Sequence, residues 1–186
     1  MSMDTARPAA DETTPVDEWY GVLAACWGQP DERLAAALDA GLFEDAIDER
    51  PTVDALAVEH TRLFVGPGEH PCPPYESVYR DAEADEDIGP VMGPSTDAVR
   101  RWYLEYGLAP DNSWTDLADH VSVELEFAGH LAAISEDDAL EQFAGEHLRE
   151  WLPEFLDRVE VATQEPFYAV LAAATRELLD TIGREA

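Results

Sequence analysis

The chain has 186 residues, 46% of them hydrophobic, and its 41 acidic side chains outnumber 11 basic ones to give a formal net charge of −30. This length suits one domain or at most two, and the apolar fraction is large enough for a sizeable core, so the chain as a whole is not disordered. Nucleic acids and anionic membranes require a positive protein surface, and the scarcity of cations excludes both as partners.

The acidity has two interpretations, an acidic groove for a cationic partner or an adaptation to high salt. Every basic residue is arginine, and the acids are spread along the whole sequence. We therefore assign most of them to a hydrated, halophilic surface. At about 1 M salt the Debye length is only ~3 Å, so a cationic partner would have to be held by direct contacts.

The cysteine content indicates a reducing compartment. Cys26 and Cys72 are too few for a disulfide framework, and neither belongs to a Cys-x-x-Cys pair. Residues 1–15 are polar and acidic, without the apolar segment of a signal peptide, and predict a disordered tail. No apolar run approaches the roughly 18 residues of a membrane span, so we expect a cytoplasmic protein that does not insert into a membrane.

The first half of the chain has helical periodicity. Apolar residues recur at helical spacing from Asp17 to Trp27, again beyond Asp31, and again after Thr52. Residues 66–94 then hold six of the 13 prolines and four of the 11 glycines, which predicts a long non-helical loop. Its first half is aromatic, and we expect that half to be packed.

The second half predicts further helices. One extends from a cap at Ser95 through Tyr106, a long one covers Thr115–Ile134, and Ser135 is positioned to cap the next, which continues to about Trp151. Pro153 suits the first turn of a following helix or a kink, and Glu165-Pro166 opens the last helix. No strand pattern or repeat is found. The prediction is an all-α, single-domain bundle of about seven to nine helices over residues 16–186.

Five histidines and many carboxylates raise the alternative of a helical metal-dependent enzyme with His and Glu ligands. His120 and Glu124 are four residues apart, as are Glu126 and His130, so each pair would share a helix face. However, no histidine follows a glutamate by three residues, as a di-iron bundle requires, and no His-Glu-x-x-His motif occurs. We expect no metal and no cofactor.

Nucleophilic catalysis is not indicated either. Cys72 is flanked by Pro71 and Pro73, away from a helix start, and acidic neighbours would raise the pKa of its thiol. Ser77 lacks the Gly-x-Ser-x-Gly turn of a hydrolase. The chain is therefore not expected to be an enzyme.

Two segments combine residue types suited to binding. In Pro73-Pro74-Tyr75-Glu76-Ser77-Val78-Tyr79 the prolines fix the backbone and the tyrosines offer amphipathic rings, as in a groove for an apolar or cationic peptide. The alternative is a loop whose aromatics fill the core. In the second segment, Asp119, His120 and Glu124 lie near one another on what would be an exposed helix edge, or simply on a solvated face.

In this order and separation, the segments resemble the TorD/DmsD family of redox-enzyme-maturation chaperones, with NarJ as a more distant relative. The resemblance covers roughly residues 17–182. The matching pieces are Glu59-x-x-x-Leu63-Phe64-Val65-Gly66-Pro67, Pro74 through Tyr79, Asp119-His120 followed by Glu124-Leu125-Glu126-Phe127, and Trp151-Leu152-Pro153 with Pro166-Phe167-Tyr168 and Leu171.

The resemblance implies an all-helical fold and a cytoplasmic chaperone for a molybdopterin oxidoreductase of the dimethyl sulfoxide, trimethylamine N-oxide or nitrate reductase type. Family members bind the catalytic subunit and its twin-arginine signal peptide, and delay export until the cofactor is inserted. The family often has a proline shortly before its Asp-His pair, whereas this chain has Leu117-Ala118, so the helix entry is expected to differ.

Carried over by position, the peptide-binding residues would come from both segments. They are Tyr75, Glu76, Ser77, Tyr79, Asp119, His120 and Glu124. Carboxylates can hold a guanidinium bidentately, and tyrosine rings can stack on arginine or on the apolar part of a leader. Such contacts are short-range and therefore survive high salt.

Overall fold

A computed structural model describes residues 16–66, 70–83, 88–108 and 117–183, and the structural statements that follow refer to these residues. Residues 1–15, the predicted disordered tail, lie outside them. The helices are α1 (Val16–Trp27), α2 (Glu32–Asp39), α3 (Val53–His60), α4 (Glu76–Arg80), α5 (Pro94–Glu105), α6 (Val121–Ala133), α7 (Asp137–Phe143), α8 (Arg149–Ala162) and α9 (Pro166–Thr181). Two π-helical turns, Thr61–Val65 and Ala144–Leu148, extend α3 and join α7 to α8.

Most helix starts follow from local chemistry. The carboxylate of Asp31 accepts hydrogen bonds from the backbone N–H of Arg33 and of Leu34, at 2.9 and 3.0 Å, and so caps α2. Thr52 Oγ1 accepts from Ala55 N at 3.2 Å and caps α3. Proline opens α5 and α9, where its missing N–H has no helical partner to lose.

The structure corrects two of the predicted boundaries. The loop predicted over residues 66–94 contains the short helix α4. The long helix predicted from Thr115 begins only at Val121, and the described residues before it, 117–120, are not helical. Asp119 and His120 therefore precede α6 instead of lying on its face.

Ser135 ends α6 and does not cap α7. Its φ is +59°, in the left-handed region. Glu136 N donates to Leu131 O, and Ser135 N to Ala132 O, both at 3.0 Å. These bonds form a Schellman motif with Ser135 in the position that glycine usually fills. From Asp137 the chain then stays helical to the end of α8, with Pro153 inside α8.

The core lies where α1 packs along α6 and α8 along α9. An aromatic cluster fills it, with the rings of Trp27 and Phe155 5.0 Å apart and that of Phe64 near both. The indole N–H of Trp27 donates to Thr175 Oγ1 at 3.0 Å, so the largest core side chain has no unmet donor. None of the helices in the described ranges is both long and apolar enough to span a bilayer.

A partly buried ion pair, with Glu59 inside and Arg62 35% exposed, links α3 to the junction of α8 and α9. Arg62 donates through Nε and Nη2 to both carboxylate oxygens of Glu59, at 2.7 and 2.6 Å, and also to Ala162 O at 2.6 Å. Gln164 N donates to the same carboxylate at 2.6 Å. Burial opposes ionisation of Glu59, but the hydrogen bonds from Arg62 and Gln164 outweigh it and lower the pKa of this carboxyl.

Candidate functional site

The two segments singled out in the sequence lie side by side. Tyr75 and His120 form an isolated antiparallel bridge. Glu76 N donates to Asp119 O, and Val121 N donates to Pro74 O, both at 3.0 Å. Backbone pairing thus places the start of α4 against the start of α6.

Asp119 reinforces this pairing with its side chain. Its Oδ2 accepts a hydrogen bond from Ser77 N at 3.0 Å, within the first turn of α4. The hydroxyl of Ser77 accepts in turn from Met92 N at 3.2 Å. Asp119 and Ser77 are both completely buried. Their hydrogen bonds connect α4 with the segment before α6 and with the segment before α5.

His120 is the N-cap of α6. Its Nδ1 accepts from Ser122 N at 3.2 Å and lies 2.6 Å from Ser122 Oγ. The ring packs edge-to-face against Tyr75, with centroids 5.1 Å apart. Tyr75 is half-buried and reaches the surface at the junction of the two segments, whereas His120 beside it is buried.

Beneath that junction lies a cluster of buried carboxyls, formed by Glu76, Asp119 and Glu124. His147 Nδ1 is 2.9 and 3.0 Å from the two carboxylate oxygens of Glu76, the separation at which an Nδ1–H donates. Trp151 Nε1 donates to Glu124 Oε2 at 3.1 Å. Donors from the second π-helical turn and from α8 therefore hold acids from α4 and α6.

Arg80 forms the outer edge of this cluster. Its Nη1 donates to Glu76, four residues earlier, and to the backbone carbonyl of Glu146 at 2.9 Å. The Arg80 side chain is 33% exposed, whereas that of Glu76 is fully buried. The guanidinium is thus the part of this ion pair that meets solvent.

Burial and mutual repulsion determine the charge state of the cluster. Burial, followed by the charge of Glu76, raises the pKa of Glu124 well above its usual range, against the opposing effect of the Trp151 hydrogen bond. Hydrogen bonding between the carboxyls of Glu76 and Glu124 acts in the same upward direction. The Glu124 carboxyl therefore holds its proton more tightly than a solvent-exposed carboxyl does.

Tyr103 and Asp119 complete the cluster. The Tyr103 hydroxyl donates to Ala118 O at 2.7 Å, and burial together with the charges of Glu124 and Asp119 raises its pKa well above the ordinary value. Asp119 Oδ1 is buried, and no described residue donates a hydrogen bond to it. A buried carboxylate oxygen without a donor is costly, so this oxygen has capacity for a further partner.

Tyr79 lies at the edge of the hydrophobic core. Its ring stacks on Trp151 with centroids 5.5 Å apart, and the guanidinium carbon of Arg158 lies 5.8 Å from the ring centroid. The stacking predicted for Tyr79 is with an arginine of the leader, and within the chain Arg158 already lies over this ring. Tyr79 is half-buried, like Tyr75.

The seven predicted site residues therefore meet in one region of the molecule. The exposed edge predicted for Asp119, His120 and Glu124 is wrong, and most of the seven residues are buried. Those with at most 5% exposure are Glu76, Ser77, Asp119, His120 and Glu124. Their role in binding a peptide stays a prediction. Sequence reasoning did not assign Arg80, His147 or Trp151 to the site. Arg80 left a signal in its spacing of four residues from Glu76, and Trp151 in the segment that resembles the family.

The cysteines are buried and inert. Burial raises the pKa of Cys72 to about 11 and that of Cys26 to about 12. For Cys72 the main cause is therefore burial and not the acidic neighbours expected from the sequence. Across residues 16–66, 70–83, 88–108 and 117–183, no three His, Cys, Asp or Glu side chains are grouped to hold a metal ion.

Comparison with known proteins agrees with this architecture. The family described as nitrate reductase delta subunit matches residues 27–157. The Tat proofreading chaperone DmsD of Salmonella typhi is 31% identical over 175 residues, which cover 91% of this chain and 78% of that protein. The chaperone protein TorD of Shewanella loihica is 30% identical over 121 residues, 65% of this chain and 57% of that one.

A solved structure has the same fold. The putative redox enzyme maturation protein from Archaeoglobus fulgidus superposes with a TM-score of 0.65 at 28% identity, covering 94% of this chain and 99% of that one. Fold and relatives together define a class of helical maturation chaperones, and the chain is not an enzyme. The chain belongs to the TorD/DmsD family, within the nitrate reductase delta subunit group. The predicted family and the all-α class are thereby confirmed.

Proposed function

We propose that this protein is a cytoplasmic chaperone that binds the twin-arginine signal peptide of a molybdopterin oxidoreductase and delays its export until the cofactor is inserted. The client would be a catalytic subunit of the dimethyl sulfoxide, trimethylamine N-oxide or nitrate reductase type. A relative named as a Tat proofreading chaperone, 31% identical over 91% of this chain, supports the proposal.

The observation that carries the proposal is the backbone pairing between the start of α4 and the start of α6. It joins a half-buried aromatic residue, Tyr75, to His120 and to the carboxyl cluster directly below. A twin-arginine leader offers two guanidinium groups beside an apolar stretch. Aromatic rings and carboxylates are the partners that these two chemistries prefer.

Because His120 and the three carboxyls of the cluster are buried, a leader first contacts Tyr75, the half-buried residue that packs on His120. A guanidinium then reaches a carboxylate only if the outer edge of the cluster rearranges. We therefore expect binding to be slower than diffusion allows, as when association requires a conformational change.

The test is calorimetric titration of the purified protein with a synthetic twin-arginine leader at about 1 M salt, where diffuse electrostatic attraction is screened. We expect binding that is weakened about tenfold or more by Tyr75→Ala and by Asp119→Ala, as for residues at the centre of an interface. Trp19→Ala, at a half-buried aromatic residue on α1, a helix that contributes no residue to the site, is the matched control and should bind as the wild type does.

A leader with both arginines replaced by lysine should bind weakly, because lysine cannot form the bidentate contact. Unchanged binding by both site variants would refute the site. A pull-down from native high-salt extract that recovers a molybdenum reductase precursor would identify the client. Recovery of no such precursor would count against the function itself.

A further inference from the structure

The ion pairs formed by Arg62, Arg80 and Arg149 differ in geometry. Arg62 contacts both oxygens of Glu59 through two nitrogens, and Arg149 contacts both oxygens of Glu141 in the same way, at 2.8 and 3.1 Å. Arg80 contacts Glu76 through Nη1 alone, and the same nitrogen also serves the carbonyl of Glu146. Of these three, Arg80 has the least complete set of hydrogen bonds to its carboxylate.

The carboxylate that Arg80 contacts is the most buried of the three. The Glu76 side chain is fully buried, whereas those of Glu59 and Glu141 are 5% and 49% exposed. Its other side-chain donor, His147, is 4% exposed and lies on the inner side. Of the two side chains described as donating to Glu76, Arg80 is the one that meets solvent. An external cation would therefore reach this carboxylate by replacing Arg80.

The surroundings can accept a better-bonded guanidinium. A guanidinium has five N–H donors, of which Arg80 uses only those on Nη1 within the described residues. The carbonyl of Glu146 is already engaged in this way, and Asp119 Oδ1 in the same cluster is a buried acceptor that no described residue satisfies. Within the part of the chain that the structure describes, this site for a guanidinium is therefore only partly used.

We propose that the Glu76 carboxylate and the Glu146 carbonyl form a guanidinium subsite that Arg80 occupies in the free protein, and that an arginine of the bound leader replaces Arg80. This inference rests on the proposed function and adds that Arg80 competes with the leader for the same subsite. The last turn of α4 would release its arginine toward solvent, where the 33% exposed side chain already extends.

The competition has a measurable consequence. When an internal competitor occupies a site, only the molecules with an empty site can bind the ligand. The apparent affinity is then the intrinsic affinity multiplied by the fraction of molecules whose site is empty. Removing the competitor restores the intrinsic affinity. If Arg80 only stabilises the fold, replacing it should instead weaken binding of the leader.

The experiment compares the wild type, Arg80→Ala and Arg80→Met by calorimetric titration with the twin-arginine leader. Arg80→Met keeps an unbranched chain over the cluster and serves if the alanine variant does not fold. Arg176→Ala is the matched control, because its side chain is 34% exposed and paired with Asp157 and Glu160, away from Glu76. We expect the Arg80 variants to bind about threefold to tenfold more tightly, with no change in the control.

A second measurement does not depend on the leader. Millimolar methylguanidinium should raise the melting temperature of Arg80→Ala by refilling the subsite, with no such rise for the wild type or for Arg176→Ala. Methylammonium at the same concentration should have no effect, because it lacks the planar donors.

The outcomes separate the two proposals. Tight binding of the leader by the wild type, with equal or weaker binding by folded Arg80→Ala and Arg80→Met, overturns the inference and leaves the function standing. Failure of methylguanidinium to stabilise Arg80→Ala also overturns it. If neither the wild type nor the variants bind the leader, the proposed function fails and the inference fails with it.

Discussion

The imidazole of His147 lies within 3.0 Å of both carboxylate oxygens of Glu76, although the two residues are 71 positions apart in the chain. The histidine comes from the π-helical turn Ala144–Leu148 and the glutamate from the first residue of α4. This contact fixes a short helix, which has little stability of its own, to the longest continuous helical stretch of the fold.

Replacing His147 should therefore be costly. We expect His147→Ala to lower the free energy of unfolding by about 2–3 kcal/mol, because a buried carboxylate loses a donor and a cavity remains. Urea unfolding followed by circular dichroism measures it. His130→Ala, at a half-buried position, is the control. A loss no larger than that of the control would show that Glu76 is held by other groups.

Glu124 should make the protein less stable as the pH rises. The pKa of this carboxyl is raised in the folded state, mainly by burial, so the folded state binds the proton more tightly than the unfolded state does. The stability that Glu124 contributes is fully present below the pKa of about 4.3 that the carboxyl has in the unfolded chain. It is lost as the pH rises toward the higher pKa of the folded state. Glu124→Gln, which needs no proton, should flatten this dependence and improve stability near neutral pH relative to the wild type.

Urea midpoints of the wild type and Glu124→Gln, measured across the acidic to neutral range, test the prediction. The glutamine oxygen can still accept from Trp151, so the variant preserves the described hydrogen bond. Parallel curves for the two proteins would mean that the carboxyl does not carry its proton in the fold.

Glu59 should show the opposite dependence. Although burial opposes ionisation, hydrogen bonds from Arg62 and Gln164 lower the pKa of this carboxyl, so its contribution is present above the unfolded pKa and is lost as the pH falls through the folded value. Glu59→Gln should cost stability at neutral pH and progressively less in acid. The same urea series measures it, and a constant difference at every pH would contradict it.

The aromatic core should be sensitive to truncation at Phe155. This ring lies 5.0 Å from that of Trp27 and 5.4 Å from that of Trp151, and it is fully buried. Phe155→Ala should lower the free energy of unfolding by about 3–5 kcal/mol. Val161→Ala, on the same helix and 84% exposed, should change it by less than about 0.5 kcal/mol. Equal effects of the two substitutions would contradict the described packing.

Salt should stabilise the protein. A net charge of −30 repels itself in the compact state, and salt screens that repulsion. We expect the melting temperature to rise steadily when sodium chloride is increased from about 0.1 M to about 2 M, with sucrose at matched osmolality as the control for solute exclusion. A melting temperature independent of salt would argue against a halophilic surface.

Periodicity and capping were sufficient for the helices of the first third and for α9, since apolar spacing, Thr52 and Pro166 act within a few residues. They predicted α5 but failed for α4 and for the start of α6, for a physical reason. The turn of α4 is stabilised by Asp119, whose bond to Ser77 N joins residues 42 positions apart, and no local pattern encodes that contact.

The burial of the site residues could not be predicted from composition either. Glutamates and aspartates are mostly exposed in proteins, and burial of Glu76 and Glu124 requires donors from His147 and Trp151. His147 and Trp151 lie far from the two glutamates in the sequence. The apolar pattern around them predicts a helix that faces the core, but not which polar group the helix contacts. The resemblance to a family grouped residues that the fold brings together, but the raised pKa of Glu124 follows only from their packing.

The indole of Trp151 contacts both sides of the candidate site. Its ring stacks on Tyr79 next to α4, and its N–H donates to Glu124 on α6. Emission from this one residue therefore senses any displacement of either helix, and replacing the other four of the five tryptophans by phenylalanine would isolate that signal. The chain thus carries its own optical probe, with which the opening of the carboxyl cluster can be timed without attaching a label.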